Sequence, residues 1–389
     1  MRIKPADRIN ALPPYLIIEL DHRKRDMRAA GHDVIDFGIG APDRGAHPFI
    51  VERIKQAVED PANHRYTLGH GCPQFRRQAA QWFQQRYNVT LDPDREILTL
   101  IGSKEGIGHL PLAIVNPGQG VLIPNPGYPA YRAGTIFAGG VCHDLPLTAE
   151  NNWLPDLDAI PADVRENAVI LYLNYPNNPT GACASAEFFE RAVAFAAKHD
   201  ILLAHDAAYN EMYFDEHKPL SILEIPGARD VAIEFHSTSK TFNMTGWRLA
   251  FVAGRPDVLA ALGRIKSNID SGQFAAVQEA GIAAYAGYDR PGMHEARDMF
   301  DERLRVLTAG LNEIGFETDL PRATFYAWAR VPAGYDSMQA ANKLLDEAAV
   351  GAIPGIAFGS QGEGYLRFAV TVDLERTTTA LERMRKLKW

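Results

Sequence analysis

The chain has 389 residues, 46% of them hydrophobic and 23% charged, so it can bury a globular core and is neither low-complexity nor disordered. At about 150 residues per domain, this length predicts two or three domains. The 40 lysine and arginine residues against 48 aspartate and glutamate residues give a net charge of −8 without a basic block, which argues against a nucleic-acid surface.

The cysteines and the N-terminus indicate the compartment. Three cysteines without C-x-x-C spacing exclude a disulfide framework and a zinc knuckle, and they favour a reducing environment. The N-terminus lacks the apolar stretch of a signal peptide, and no run approaches about 18 uncharged apolar residues. We therefore expect a cytoplasmic protein that does not span a membrane.

Helical periodicity and short apolar runs alternate from about residue 47. Helices are predicted at 47–60 and 73–87. Seven strands are predicted at 96–102, 121–124, 141–147, 169–174, 201–206, 231–236 and 248–254. Nearly all-apolar strands separated by helices are typical of a mainly parallel α/β sheet covered on both faces. The link before the last strand is too short for a helical crossover, so we expect that strand to run antiparallel.

The rest of the chain has an α+β pattern. Long helical runs are predicted at about 293–314, 338–348 and 374–388, with strands in TFYAWARV and YLRFAV. The extended segment DVIDFGIGAPD near the N-terminus has no strand neighbour in sequence, and we place it against the C-terminal part. The prediction is three parts: an arm with part of the small domain at 1–45, a large domain at 46–285 and a small domain at 286–389.

Polar side chains follow several of the predicted strands. Ligands of open α/β sheets bind outside the carboxyl ends of the strands, so these side chains are candidate site residues. Ser103 and Lys104 open a helix after the first strand, where free N–H groups favour an anion. Tyr128 follows the second strand, and Asn178 lies in the turn after the fourth. The structural alternatives are a helix cap, a packed ring and a Pro-Gly loop.

The fifth and sixth strands end in groups that carry charge. Asp206 closes the fifth strand, three residues before Tyr209, and a carboxylate buried there needs a cationic partner. The sixth strand runs into an all-polar turn with Ser237 and Lys240, and Arg248 follows eight positions later. Most single lysines are solvated surface groups, but this position after a strand favours a chemical role.

Five motifs occur together and in order along the chain. They are N-P-G-Y at 125–128, Y-P-N-N-P-T-G at 175–181, D-x-x-Y at 206–209, S-x-S-K-x-F-x-M-x-G-x-R at 237–248 and a late Arg367. Together they resemble the class I/II aminotransferases, pyridoxal-phosphate enzymes of fold type I. Within that family the segments at 4–16, 102–107 and 267–272 are most similar to the LL-diaminopimelate aminotransferase group.

The resemblance implies pyridoxal 5'-phosphate as cofactor, with Lys240, Asp206 and Tyr209 as catalytic residues. Lys240 would bond to the cofactor aldehyde and later move a proton at the reacting carbon, while Asp206 would pair with the ring nitrogen. Tyr209 and Asn178 would contact the phenolic oxygen. The other implied cofactor-binding residues are Ser103, Lys104, Tyr128, Ser237, Arg248 and, from a neighbouring subunit, Tyr66. The family therefore implies a homodimer with shared sites, and no metal is expected.

The substrates are also implied by the resemblance. The substrate-binding residues would be Gly40, Tyr15, His70, Asn178, Asn268 and Arg367. Arg367 would grip the α-carboxylate in two places, because a planar guanidinium matches a carboxylate. The reaction would be ping-pong: an amino acid, favoured to be like LL-diaminopimelate, gives its amino group to the enzyme, and a 2-oxo acid such as 2-oxoglutarate takes it.

The stretch after Tyr66 departs from the resembled group. That group commonly carries a glutamate there, suited to a distal substrate ammonium, but this chain reads Thr-Leu-Gly-His-Gly at 67–71. His70 offers at best a neutral acceptor, and Arg44 and His47 add basic groups near the entrance. Both changes favour a donor whose side-chain end is less cationic than that of diaminopimelate, or even acidic. We hypothesise that His70→Glu improves use of a dicationic donor, and unchanged kinetics would remove His70 from this argument.

Other functions remain open from the residues alone. An aminotransferase for another amino acid, a C–S β-lyase or a cyclopropane-forming synthase would use the same lysine, aspartate and arginine. A cofactor-sensing DNA-binding regulator needs a basic helix-turn-helix, which 1–45 lacks. The segment G-I-G-A-P-D at 38–43 breaks the dinucleotide-binding G-x-G-x-x-G pattern, so a nicotinamide dehydrogenase is not supported.

Overall fold

The computed structural model describes residues 3–13, 16–67 and 69–389. Within them the α-helices are α1 Asp7–Asn10, α2 Leu16–Ala29, α3 Pro48–Glu59, α4 Pro73–Tyr87, α5 Ser103–Ile114, α6 Pro129–Phe137, α7 Ala162–Asn167, α8 Ala186–His199, α9 Ala228–Val231, α10 Thr238–Thr241, α11 Pro256–Ile269, α12 Ala275–Ala286, α13 Glu295–Ile314, α14 Ser337–Ala348 and α15 Leu374–Met384. The strands are β1 Ile35–Asp36, β2 Ile97–Leu100, β3 Gly120–Asn125, β4 Val141–Pro146, β5 Ala168–Leu173, β6 Leu202–Asp206, β7 Ala232–Ser237, β8 Ala250–Gly254, β9 Tyr326–Arg330, β10 Val350–Gly351, β11 Ile353–Pro354 and β12 Tyr365–Ala369.

Seven strands form one sheet in the order β2-β8-β7-β6-β5-β3-β4. Strands β3 to β7 pair in parallel, whereas β8 runs antiparallel to both β7 and β2. All seven strands predicted from the sequence are present, and the predicted antiparallel direction of the last one is confirmed. The α/β fold class with a seven-stranded, mainly parallel sheet is therefore confirmed.

Helices cover both faces of this sheet. One core packs α4, α8 and α12 against one face, and a second core packs α5, α6 and α11 against the other. Successive side chains of a strand point to opposite faces, so Leu122 of β3 belongs to the first core and its neighbours Val121 and Ile123 to the second. Burial of both faces explains the nearly continuous apolar runs in the sequence.

The C-terminal part builds a second, smaller sheet. Strands β11, β12 and β9 are antiparallel neighbours, and α13, α14 and α15 contribute to a core of their own. Strand β1 pairs in parallel with β10, with Ile35 opposite Val350, so the segment that the sequence left without a neighbour lies against the C-terminal part as expected. The domain boundaries after residues 45 and 285 stay a prediction.

Two further properties concern only the part of the chain that the structure describes. No helix there has both the length and the apolar character needed to cross a membrane. No group of three or more histidine, cysteine, aspartate or glutamate side chains is arranged there to hold a metal ion. The three cysteines are free and half-buried.

Candidate active site

A cavity of about 440 Å³ lies where the carboxyl ends of β6 and β7 meet the start of α5. Its wall also takes residues from α2, from the segment at 38–40 and from the small sheet. The cavity brings together these residues singled out from the sequence: Gly40, Ser103, Lys104, Tyr128, Asn178, Asp206, Tyr209, Ser237, Lys240, Arg248 and Arg367. Because parallel strands end at one edge, residues far apart in sequence converge there.

Lys240 lies in the short helix α10, directly after β7. Its Nζ donates a hydrogen bond to the carbonyl oxygen of Gly40 at 2.6 Å. Burial, Arg367 and Arg248 lower the pKa of Lys240 to about 7, although Asp206 opposes them. A large share of this amine is therefore neutral near neutral pH, which a nucleophile or a proton carrier requires.

Asp206 ends β6 and is only 5% exposed. One carboxylate oxygen accepts a hydrogen bond from the hydroxyl of Tyr131 at 2.9 Å, and the other accepts one from the backbone N–H of Ala208 at 3.3 Å. Burial raises the pKa of Asp206, and the bond from Tyr131 works against that rise. No described lysine, arginine or histidine side chain forms an ion pair with Asp206. The carboxylate thus has room for a cationic ligand group.

Arg367 is held rigidly in β12. It donates to Oδ1 of Asn178 at 2.8 Å and to the carbonyl oxygen of Gly38 at 3.0 Å. Its guanidinium carbon lies 4.3 Å from the ring centroid of Tyr326 and 4.8 Å from that of Phe358. The Nε of Arg367 is buried and has no hydrogen-bond partner among the described residues. The site therefore holds a fixed, buried cation that still has N–H donors to offer, the Nε–H among them.

A cradle for an anion lies at the start of α5. Gly102 precedes this helix with a φ of +79°, and a Cβ atom there would collide with the guanidinium of Arg248. Arg248 itself adopts a left-handed φ of +58° and donates to the carbonyl oxygen of Thr245 at 2.8 Å. With the hydroxyls of Ser103 and Ser237 lining the same cavity, these groups suit a phosphate.

Aromatic groups complete the wall. The amine of Lys104 lies 6.0 Å from the ring centroid of Tyr128, and both residues line the cavity. The hydroxyl of Tyr209 is 2.8 Å from that of Tyr326. Sequence reasoning missed Tyr326, although it lies in the predicted strand TFYAWARV. A Cβ atom at Gly40 would collide with the Tyr326 hydroxyl, so this position has no room for a larger residue.

Helix α2 also reaches the cavity, which the sequence did not indicate. Asp21 and Lys24 lie in its wall. Lys24 forms a buried ion pair with Asp36 at 2.7 Å, and Asp36 accepts a second hydrogen bond from the N–H of Gly38 at 2.8 Å. These contacts fix the backbone whose carbonyl oxygen accepts from Arg367.

Three predicted site residues do not line the cavity of their own chain. Tyr66 is 80% exposed. His70 packs on α11, where a Cβ atom at Gly263 would lie 2.7 Å from its Nε2. Asn268 is exposed, and its side chain donates to a carbonyl oxygen of its own helix at 2.8 Å. A fourth predicted residue, Tyr15, lies outside the described residues. Within one chain, His70 and Asn268 therefore lie outside the cavity that holds the other predicted site residues, and their contact with the substrate stays a prediction.

Known proteins are similar to this chain over all or nearly all of its length. The chain is 51% identical over 389 residues to the LL-diaminopimelate aminotransferase of Syntrophobacter fumaroxidans, covering 100% of both chains. It is 49% identical to the enzyme of the same name from Aquifex aeolicus, covering 98% of this chain and 99% of that one.

Solved structures share the fold. Substrate-bound BacF from Bacillus subtilis matches with a TM-score of 0.96 and 36% identity, over 100% of this chain and 99% of that one. A probable N-succinyldiaminopimelate aminotransferase from Thermus thermophilus matches with a TM-score of 0.90 and 36% identity, over 95% and 99%. The family model described as aminotransferase class I and II matches residues 32–384. The chain therefore belongs to the class I and II aminotransferases, has their fold type I and is an enzyme of that class.

Proposed function

We propose that the enzyme moves the amino group of LL-diaminopimelate to an oxo acid such as 2-oxoglutarate, with pyridoxal 5'-phosphate as cofactor. The assignment of the substrate is supported by the names of relatives that are 49% and 51% identical over nearly the full chain. The cofactor rests on one observation: a single cavity holds a buried carboxylate without a cation, an amine of lowered pKa and a cradle for a phosphate.

The residues present fit this cofactor. When bound, pyridoxal phosphate supplies an electron sink for the bonds at the substrate's α-carbon. Asp206 would hold the protonated ring nitrogen and thereby gain the positive partner that its burial demands. Arg248, Ser103 and Ser237 would hold the phosphate. Tyr209, which lines the same cavity, would hydrogen-bond the phenolic oxygen.

Lys240 and Arg367 have the properties that substrate handling requires. The neutral amine of Lys240 can take a proton at Nζ from the substrate's α-carbon and return it, since its pKa of about 7 matches the working range. Arg367 can offer its unused Nε–H and the remaining N–H groups of its outer nitrogens to an α-carboxylate, in a position that its contacts with Asn178 and Gly38 already fix. Donor and acceptor both carry this carboxylate, so one arginine serves both half-reactions.

The second ammonium of the proposed donor has a carboxylate available in this chain. Asp21 and Asp206 are the carboxylate residues among the described lining of the cavity. Asp206 is taken by the cofactor in this proposal. The side chain of Asp21 is 42% exposed and pairs with Arg25 at 2.7 Å. Such exposed ion pairs contribute little, so Asp21 can exchange Arg25 for a substrate ammonium.

We further propose a homodimer in which each subunit completes its neighbour's site. Tyr66, which the family resemblance assigns to the neighbour's phosphate, is 80% exposed in its own chain and so is free to contact another one. In such a dimer, His70 would contact the substrate in the active site of the neighbouring subunit. Light scattering tests the dimer, and a monomeric active enzyme would contradict it. The cytoplasmic location stays a prediction.

Single-turnover absorption tests the reaction. Amino acids are added one at a time to the cofactor-loaded enzyme, and loss of the visible absorption band shows which of them give up their amino group. We expect LL-diaminopimelate and glutamate to do so, and 2-oxoglutarate to restore the band. A band insensitive to LL-diaminopimelate but lost with another amino acid would assign another donor. Release of pyruvate and ammonia from cystathionine without an oxo acid would instead indicate the C–S β-lyase.

A further inference from the structure

Tyr131 lies directly behind the cavity, in helix α6. It is fully buried, and its hydroxyl donates a hydrogen bond to Oδ2 of Asp206 at 2.9 Å. The other oxygen of Asp206 receives only the longer bond from the backbone of Ala208, at 3.3 Å. Among the described residues, Tyr131 is therefore the side chain that donates to this carboxylate.

The Tyr131 hydroxyl keeps its proton over the whole working range. Burial and the charge of Asp206 raise its pKa well above the ordinary value. A group that always donates stabilises the ionised form of its carboxyl partner and disfavours the protonated form. Burial of Asp206 acts in the opposite direction. Burial therefore favours the protonated form of Asp206, whereas the hydrogen bond from Tyr131 favours the ionised form and orients the carboxylate.

Ring packing fixes this hydroxyl in place. The ring of Tyr131 stacks on that of Tyr172, with centroids 4.7 Å apart and planes 20° apart. The ring of Tyr128, which lines the cavity, contacts it edge-on at 5.8 Å. The hydroxyl of Tyr172 donates to the carbonyl oxygen of Ile107 at 3.1 Å and does not reach Asp206. The two stacked tyrosines therefore differ in a single relevant contact.

Other charged groups act on Asp206 only from a distance. Among the titratable groups whose fields reach it are His205, His236, Tyr172, Tyr209 and Lys240. Both histidines pair with the buried Glu234, at 2.9 Å and 2.6 Å. None of these groups forms a hydrogen bond with the Asp206 carboxylate in the described structure.

We propose that Tyr131 is a positioning residue for amino transfer, whose hydroxyl keeps Asp206 ionised and oriented so that the carboxylate holds a proton on the ring nitrogen of the cofactor. This inference rests on the proposed cofactor. Tyr131 does not line the cavity, but in this proposal it helps to determine whether the ring nitrogen of the cofactor is protonated.

The test compares Tyr131→Phe with Tyr172→Phe, because each removes one buried hydroxyl from the same stacked pair. Both variants and the parent enzyme are loaded with pyridoxal phosphate labelled with nitrogen-15 in the ring, and the ring-nitrogen resonance is recorded by NMR. We expect Tyr131→Phe to move the resonance towards that of the unprotonated ring and to weaken cofactor binding about tenfold, as loss of a bond to a charged group should. Tyr172→Phe should leave both unchanged.

Each other outcome contradicts the proposal. An unchanged resonance in Tyr131→Phe, or the same shift in both variants, would overturn it. A Tyr131→Phe protein that unfolds where Tyr172→Phe folds would show the hydroxyl to be structural and would overturn it as well. Failure of the proposed cofactor is distinguishable, because the parent enzyme would then show no bound ring-nitrogen resonance.

Discussion

Replacing Arg367 by lysine tests the substrate-binding site most directly. The substitution keeps the positive charge but removes the planar fork, so one of two parallel hydrogen bonds to a substrate carboxylate is lost. Arg367 is 5% exposed and already fixed by Asn178 and Gly38, so water replaces the missing donor poorly.

The expected loss in kcat/KM can be estimated from the burial of Arg367. A hydrogen bond between charged partners contributes about 1.5–3 kcal/mol, and the loss of one such bond at about 2 kcal/mol lowers kcat/KM about 30-fold. The partners left behind, Oδ1 of Asn178 and the carbonyl oxygen of Gly38, can only add to this loss. Donor and acceptor should be affected by the same factor, because both present an α-carboxylate to this residue.

Stopped-flow measurement of each half-reaction provides the assay. The matched control is Arg303→Lys, because Arg303 is 4% exposed and holds Asp43 with both outer nitrogens at 2.9 Å, away from the cavity lining. We expect the loss in Arg367→Lys in both half-reactions, and little change in either for Arg303→Lys. Equal losses in the two variants, or a loss in one half-reaction only, would refute the assignment of Arg367 to the α-carboxylate.

Other predictions follow from the same cavity. Borohydride treatment of the loaded enzyme should label Lys240, and a label on any other lysine would contradict its role. In the cofactor-free enzyme Lys240 should react with an amine reagent with a pH midpoint near 7, because burial and two arginines lower its pKa to about 7; a midpoint near the ordinary lysine value of about 10.4 would contradict this. Asp21→Asn should raise KM for LL-diaminopimelate about threefold and leave KM for glutamate unchanged, as expected for an exposed charge; the control Arg25→Gln should not raise either, and equal effects on both donors would exclude Asp21 from recognition. His70→Glu should raise kcat/KM for LL-diaminopimelate through the neighbouring subunit, and unchanged kinetics would remove His70 from donor selection.

The large sheet could be predicted well from the sequence because its strands are buried on both faces. Strands buried on both faces must be nearly continuous apolar runs, and strands such as β5 and β6 stand out for that reason. The direction of β8 followed from the length of one connection alone. The extended segment before α3 was placed correctly because an isolated strand needs a partner, and β10 supplies it.

The candidate site was predictable where its residues follow a strand. Lys240, Asp206 and Asn178 stand out because parallel strands deliver their carboxyl ends to one edge. Tyr131 and Asp21 carried no such signal, since only tertiary packing brings a helix side chain to a carboxylate or a cavity far away in sequence. The position of His70 against α11 likewise depends on packing that no local pattern reveals.

The contacts of Arg367 have a consequence for stability. Its guanidinium joins Gly38 and Asn178, which are 329 and 189 positions away along the chain. A substrate carboxylate bound to Arg367 would add a further contact to this group of residues, which come from the beginning, the middle and the end of the chain. Since a ligand that binds only the assembled form stabilises it, substrates and their analogues should protect the N-terminal segment against proteases and raise the melting temperature with occupancy.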